Sequence, residues 1–206
     1  MCHIYITHFE QPDKMKHTTE HNVGLTLLSR ALSDLYGIEI SPDTIEEHVE
    51  KNEYGKPYLK DYPHIHYNIS HADDIAICAI GTQTIGADVE KMHDFNKAIL
   101  RKVFTVEEKA FFQQMAIDES ASQEWFFRFW TLKESRIKHA GTGLSMSLTN
   151  FSFTFELDTD ADLGMNSYAI HCSDKDVHFK QQVLENNYVL SVCTSTPIEE
   201  LNLIYI

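Results

Sequence analysis

The order of elements along this chain predicts an α+β protein of two similar lobes, each a small antiparallel sheet packed on a long helix. Three observations carry that expectation. Short apolar runs of strand length cluster before residue 91 and again after residue 150. Two long stretches with apolar residues at helical spacing stand well apart, one near the start and one in the middle. The 206 residues, 43% hydrophobic and 23% charged, suffice for one large domain or two small lobes sharing a core. The change from strands to helices puts the boundary near residue 98, with an N-terminal lobe of 1–98 and a C-terminal lobe of 99–206.

The elements follow in order. Ile4, Tyr5 and Ile6 read as a strand. Val23, Leu27, Leu28, Ala31, Leu32 and Leu35 recur at helical spacing, and Gly37 suits the C-terminus of that helix. Residues 52–57 form a turn by their Gly and Pro. Residues 67–70, 75–80 and 85–89 read as three closely connected strands, the middle one apolar throughout, as a buried strand would be. Helices are expected over 98–103, over 105–116 behind a capping box of Thr105 and Glu108, and over 122–139. Strands return at 151–155, 167–171, 177–180 and 188–193. Residues 158–162 form a polar turn, since they lack the Gly and the terminal Glu of a calcium loop.

Composition excludes several functions. A net charge of -14, with both halves acidic, provides no basic field for nucleic acid, so an anionic substrate has to be held by a few placed cations and a metal ion. The longest apolar run, residues 75–80, is far short of the ~20 residues of a membrane helix. No basic segment followed by an apolar stretch opens the chain, and the expectation is a soluble cytoplasmic protein. The four cysteines lie far apart and read as reduced thiols, and the twelve scattered histidines form no zinc pattern.

Two motifs carry the chemistry. In Gly86-Ala87-Asp88-Val89-Glu90, the two acids are alternate residues of a strand and share a face. Hard oxygen donors converging in this way suit magnesium, which takes one or two carboxylates and leaves room for substrate phosphates. In Trp130-Thr131-Leu132-Lys133-Glu134-Ser135-Arg136-Ile137-Lys138, Glu134 and Lys138 are four apart and share a helix face, with Lys133 expected on the same side. Aromatic neighbours make this helix apolar on most sides, where unpaired charge is costly. Trp130 itself reads as core packing. A third element joins Gly55-Lys56-Pro57 to Asn68-Ile69-Ser70-His71, supplying a turn, a cation and short donors at a strand end.

Read in order, these motifs resemble the signature of the 4′-phosphopantetheinyl transferases, in the longer, monomeric, surfactin-synthetase-activating type built as a pseudo-dimer. The resemblance runs from about Lys14 to Leu144. It implies transfer of the phosphopantetheine arm of coenzyme A to a serine of an apo carrier protein, with release of adenosine 3′,5′-bisphosphate. It also implies magnesium on Asp88, Glu90 and Glu134, with Lys138 on the phosphates and Glu134 as a base for the incoming serine. Lys14, Arg30, Lys56, Pro57, Ser70, His71, Lys133 and Lys138 would contact coenzyme A, Arg30 at its 3′-phosphate. Glu108 matches a recurring acid of the family, although its capping role explains it. His17 and His21 stand where further basic residues are usual, which predicts pH-dependent affinity for coenzyme A. Phe111, Phe112 and Met115 are candidates for carrier docking. The competing readings are a magnesium-dependent phosphohydrolase and a non-catalytic module that binds coenzyme A or a carrier. The first has no use for the Gly-Lys-Pro and Ser-His elements, and the second has no use for an intact set of acids.

Overall fold

The computed structural model describes residues 2–10, 16–157 and 168–206. Lys14 and the expected turn at 158–162 lie outside the described residues. The elements are β1 (Cys2–His8), α1 (Lys16–Tyr36), β2 (Val49–Lys51), β3 (Pro57–Leu59), β4 (His66–Ala72), β5 (Ile75–Gly81) and β6 (Ile85–Lys91). They continue with α2 (Leu100–Val103), α3 (Val106–Met115), α4 (Glu119–Ala140), β7 (Phe153–Leu157), β8 (Tyr168–Cys172), β9 (His178–Leu184), β10 (Tyr188–Thr194) and β11 (Leu201–Tyr205). The protein is thus mixed α+β with small sheets.

Side-chain alternation decides how the layers stack. On β5, Ile75, Ile77 and Ala79 face one core, and Ala76, Cys78 and Ile80 face another. The first core lies between two sheets and is closed by Ile85, Ala87, Val89, Leu190 and Val192. The second is closed by α1 through Leu25, Leu28, Ala31 and Leu32. Both faces of β5 are therefore buried, the physical reason for its unbroken apolar run. Residues such as Ile4, Ile6 and Ile77, each at 0% exposure, contribute about 1.5–3 kcal/mol apiece.

Sheet membership departs from the expected order. The four-stranded sheet runs β11-β1-β5-β4, and its β1–β11 pair is parallel, so it is not purely antiparallel. β6 leaves its sequence neighbours and pairs with β10 in the sheet β6-β10-β9. Sheet pairing therefore crosses residue 98 in both directions. Three strands carried no clear advance signal: β2 and β3, which form the hairpin around the 52–56 turn, and β11.

Helix ends follow their local chemistry. Gly37 and Gly141 take left-handed conformations, with φ of 65° and 66°, just past α1 and α4. The expected capping box at α3 is formed by Thr105 and Glu108. The aromatic residues of α4 pack with α3 and β7 in a third core.

Candidate active site

The site begins with the pleat of β6. Ile85, Ala87 and Val89 enter the core between the sheets, which turns Gly86, Asp88 and Glu90 toward α4. A Cβ on Gly86 would lie 2.1 Å from the Ser135 carbonyl oxygen and 2.2 Å from the His139 amide nitrogen. Glycine alone lets the helix backbone settle on the strand at this point. α4 then presents Trp130, Glu134 and Lys138, four residues apart on one face. Lys138 Nζ donates to Asp88 Oδ1 at 2.6 Å and to Ser70 Oγ at 2.8 Å, while the Trp130 indole N–H donates to Glu90 Oε1 at 3.2 Å. A strand with period two and a helix with period four have been laid in register.

Strand β4 holds β6 from its other edge through side chains. Asn68 Oδ1 accepts the Ala87 N–H at 2.8 Å, and Ser70 Oγ accepts the Val89 N–H at 3.4 Å. Ser70 also donates to Asp88 Oδ1 at 3.0 Å. Two backbone donors that would be costly to bury alone are satisfied, and Asp88 is fixed from both flanks.

Electrostatically, this is a cluster of acids with the Lys138 ammonium against it. Burial pushes the Asp88 carboxyl up, opposed by Lys138 and Ser70. Glu90 is pushed up to about 7, first by burial and then by Asp88. Glu134 is raised by the same two causes. Asp88 Oδ2 is buried and has no hydrogen-bond partner. Among the described residues, no trio of His, Cys, Asp or Glu stands close enough to hold a metal without rearrangement. The donor chemistry nevertheless fits a hard divalent cation: an orphaned carboxylate oxygen of Asp88 beside two carboxyls raised by burial and by the charge of Asp88.

Other residues singled out from the sequence sit elsewhere. Lys133 does not share the face of Glu134 and Lys138, as residues one apart on a helix do not face each other. It is fully buried, 2.8 Å from Glu108 Oε2, and donates to the Leu148 and Phe151 carbonyls at 2.6 and 2.9 Å. Glu108, besides capping α3, accepts the Phe153 N–H at 2.8 Å, so it joins α3, α4 and β7. Lys56 Nζ donates to the Ile85 and His139 carbonyls at 3.0 and 2.9 Å, tying the start of β6 to the end of α4. Burial lowers its pKa to about 8. Pro57 opens β3 beside it. Arg30 is exposed and paired with Asp34 at 2.8 Å, and His21 with Glu46 at 2.6 Å. His71 Nδ1 lies 3.5 Å from Glu20 Oε2. Phe112 is 5% exposed and half-buried Phe111 and Met115 pack on the same core, whereas Val106 and Ile117 at either end of α3 are 81% and 83% exposed.

Sequence reasoning missed three contributors: Trp130 as a donor to Glu90, Asn68 as a clamp on β6, and the close approach that requires Gly86. The spacing of Trp130, four before Glu134 and eight before Lys138, was visible in the sequence. So was that of Asn68, two before Ser70.

A family model described as the 4′-phosphopantetheinyl transferase superfamily matches residues 84–193. A 4′-phosphopantetheinyl transferase of Bacillus subtilis is 32% identical over 175 residues, 85% of this chain and 73% of the relative. The 4′-phosphopantetheinyl transferase Sfp of Bacillus subtilis strain 168 is 34% identical over 145 residues, 70% of this chain and 62% of the relative. The 4′-phosphopantetheinyl transferase gsp of Aneurinibacillus migulanus is 40% identical over 94 residues, 46% of this chain and 38% of its own length.

Proposed function

The chain belongs to the 4′-phosphopantetheinyl transferase superfamily, and on that premise we propose that the β6–α4 site moves 4′-phosphopantetheine from coenzyme A to a serine of an apo carrier protein. The observation that carries the reading is the meeting of Asp88, Glu90 and Glu134 with Lys138 across one strand–helix contact. The serine oxygen forms a bond to the phosphorus on the pantetheine side, the pyrophosphate P–O bond breaks, and adenosine 3′,5′-bisphosphate leaves.

Asp88, Glu90 and Glu134 are the residues that would hold magnesium, which supplies neutralisation of the pyrophosphate oxygens when bound. Glu134 takes the serine proton, directly or through water, and its raised pKa brings it closer to the range in which a carboxylate is an effective base. Lys138, placed on Asp88 and Ser70, turns its remaining donor capacity to charge developing on the leaving phosphate. Trp130 orients Glu90, and Asn68 with Ser70 keeps β6 in place, so positioning is provided before substrate arrives. Ser70, His71, Pro57, Arg30 and Lys14 belong to the nucleotide end of the donor in this reading, while Lys56, expected there from the sequence, ties β6 to α4 beside it.

The pseudo-dimeric description, with lobes at 1–98 and 99–206, is supported by α1 and α4 each lying on a sheet of its own. Exchange of β6 and β11 between the halves gives them a common core. Both halves of the site come from one chain, in keeping with a monomer. Among the described residues no helix is long and apolar enough to cross a membrane, and the four cysteines are free, in keeping with a reducing cytoplasm.

The test is mass spectrometry of several apo carrier proteins incubated with the enzyme, coenzyme A and magnesium. A gain of one phosphopantetheine on at least one carrier is expected. Free phosphopantetheine released without any acceptor would identify a hydrolase instead.

A further inference from the structure

The edge of β6 turned away from β10 is served by side chains at alternate residues. Asn68 and Ser70 take the Ala87 and Val89 N–H groups, and the carbonyl of Ile85, two residues before Ala87, lies on the same edge. Lys56 Nζ donates to that carbonyl at 3.0 Å and to the His139 carbonyl at 2.9 Å. His139 is in the last turn of α4, where helix carbonyls lack intrahelical partners and positive charge is favoured. One ammonium thus spans from the first residue of β6, three before Asp88, to the residue after Lys138. Lys56 is itself braced. Asn52 Oδ1 accepts the Tyr54 and Lys56 N–H groups at 3.0 and 2.8 Å, and Asn52 Nδ2 donates to the Gly141 carbonyl at 3.1 Å, so the β2–β3 turn grips the end of α4. A Cβ on Gly141 would meet Lys56 Cδ at 2.7 Å, so the lysine stem lies close along the helix terminus. To reach a substrate phosphate, the ammonium would abandon both carbonyls, at the cost of leaving them unpaired away from water. Gly86 sets how near the helix can come, and Lys56 holds it there.

We propose that Lys56, braced by Asn52, is a positioning residue that fixes the separation of β6 and α4 and, through it, the meeting of Lys138 with Asp88; this rests on the transferase reading above. The lysine acts on turnover through Lys138 and leaves the binding of coenzyme A to other groups. Lys138 meets Asp88 at 2.6 Å and Ser70 at 2.8 Å, distances with no slack for a helix end that drifts. A catalytic group displaced by about 1 Å loses much of its effect. The two partners of Lys56 belong to the two elements whose contact makes the site, so its loss moves the cation and the acids relative to one another.

The experiment measures kcat and KM for coenzyme A on the full chain with one apo carrier, alongside calorimetric titration of coenzyme A without carrier. Lys56→Met, which keeps the stem and removes the ammonium, should lower kcat about tenfold or more per folded molecule, with KM and Kd within about twofold. In a Lys138→Ala background the same change should lower kcat by less than about twofold, because its effect passes through Lys138. Asn52→Ala leaves the ammonium in place and removes its brace, and should show the same split at about threefold or more. That variant decides the matter if Lys56→Met does not fold. A rise of about tenfold in KM or Kd with kcat kept would make Lys56 a substrate contact and overturn the inference. So would an unchanged kcat, or the full loss repeated in the Lys138→Ala background. Each of these leaves the transferase reading intact. Absence of transfer in the parent protein overturns that reading and the inference with it.

Discussion

Glu134 lies on α4 between two neighbours that define its work: Trp130 one turn before it and Lys138 one turn after. Its carboxyl is raised by burial and by Asp88, and it is expected to be the proton acceptor for the attacking serine. Glu134→Gln should therefore reduce transfer by at least ~100-fold, the usual scale for losing a general base, with thermal stability and circular dichroism unchanged. Retention of more than a tenth of the activity would remove Glu134 from the mechanism. The aromatic flank that made Trp130 look like packing is real, since its ring stacks on Phe126 at 5.9 Å. Its indole nitrogen nevertheless reaches Glu90, a polar task that composition does not reveal.

At the scale of elements, the contact between β6 and α4 governs the site. Gly86→Ala would press a methyl group against backbone atoms of Ser135 and His139, which cannot rotate away. The expected loss is about 3 kcal/mol or more, the upper end of ordinary overpacking, together with activity lost per folded molecule. Denaturant unfolding, with transfer assayed on the folded fraction, measures both. The other face of α4 carries the buried Lys133–Glu108 pair. Lys133→Met leaves a carboxylate buried without its cation, an expected cost of about 3–5 kcal/mol. Because the ammonium is spent within the protein, the KM for coenzyme A should stay within twofold in the folded fraction. A large rise in KM instead would return Lys133 to substrate binding.

At the scale of the whole molecule, His139 reports on how the halves are joined. It lies at the end of α4, its Nε2 3.1 Å from Ser195 Oγ, while its Nδ1 is buried without a partner. Burial lowers its pKa to about 4, helped by Lys56, Arg136 and His66 and opposed by Asp174. Between its ordinary 6.5 and about 4, the unfolded chain binds a proton that the native protein does not. Stability from this group is thus whole above 6.5, falls with pH through that window, and changes no further below it. A contribution of about 2 kcal/mol, discounted for partial exposure, is expected. Urea unfolding from pH 7 to 4 should show it, and His139→Gln should flatten the slope.

The sequence by itself determined the mixed class, the long helices, the caps at Gly37 and Thr105, the buried character of β5, and the Asp-x-Glu and Glu-x-x-x-Lys pairs. All of these rest on periodicity or on short-range backbone chemistry, which a single strand or turn contains in full. Only the tertiary structure decided that β6 pairs with β10, that β11 returns parallel to β1, and that Lys133 and Lys56 are spent on backbone and carboxylate partners. Those outcomes depend on which distant surfaces meet. A lysine has the same local pattern whether its ammonium reaches substrate or a carbonyl 83 residues away, as that of Lys56 does at His139.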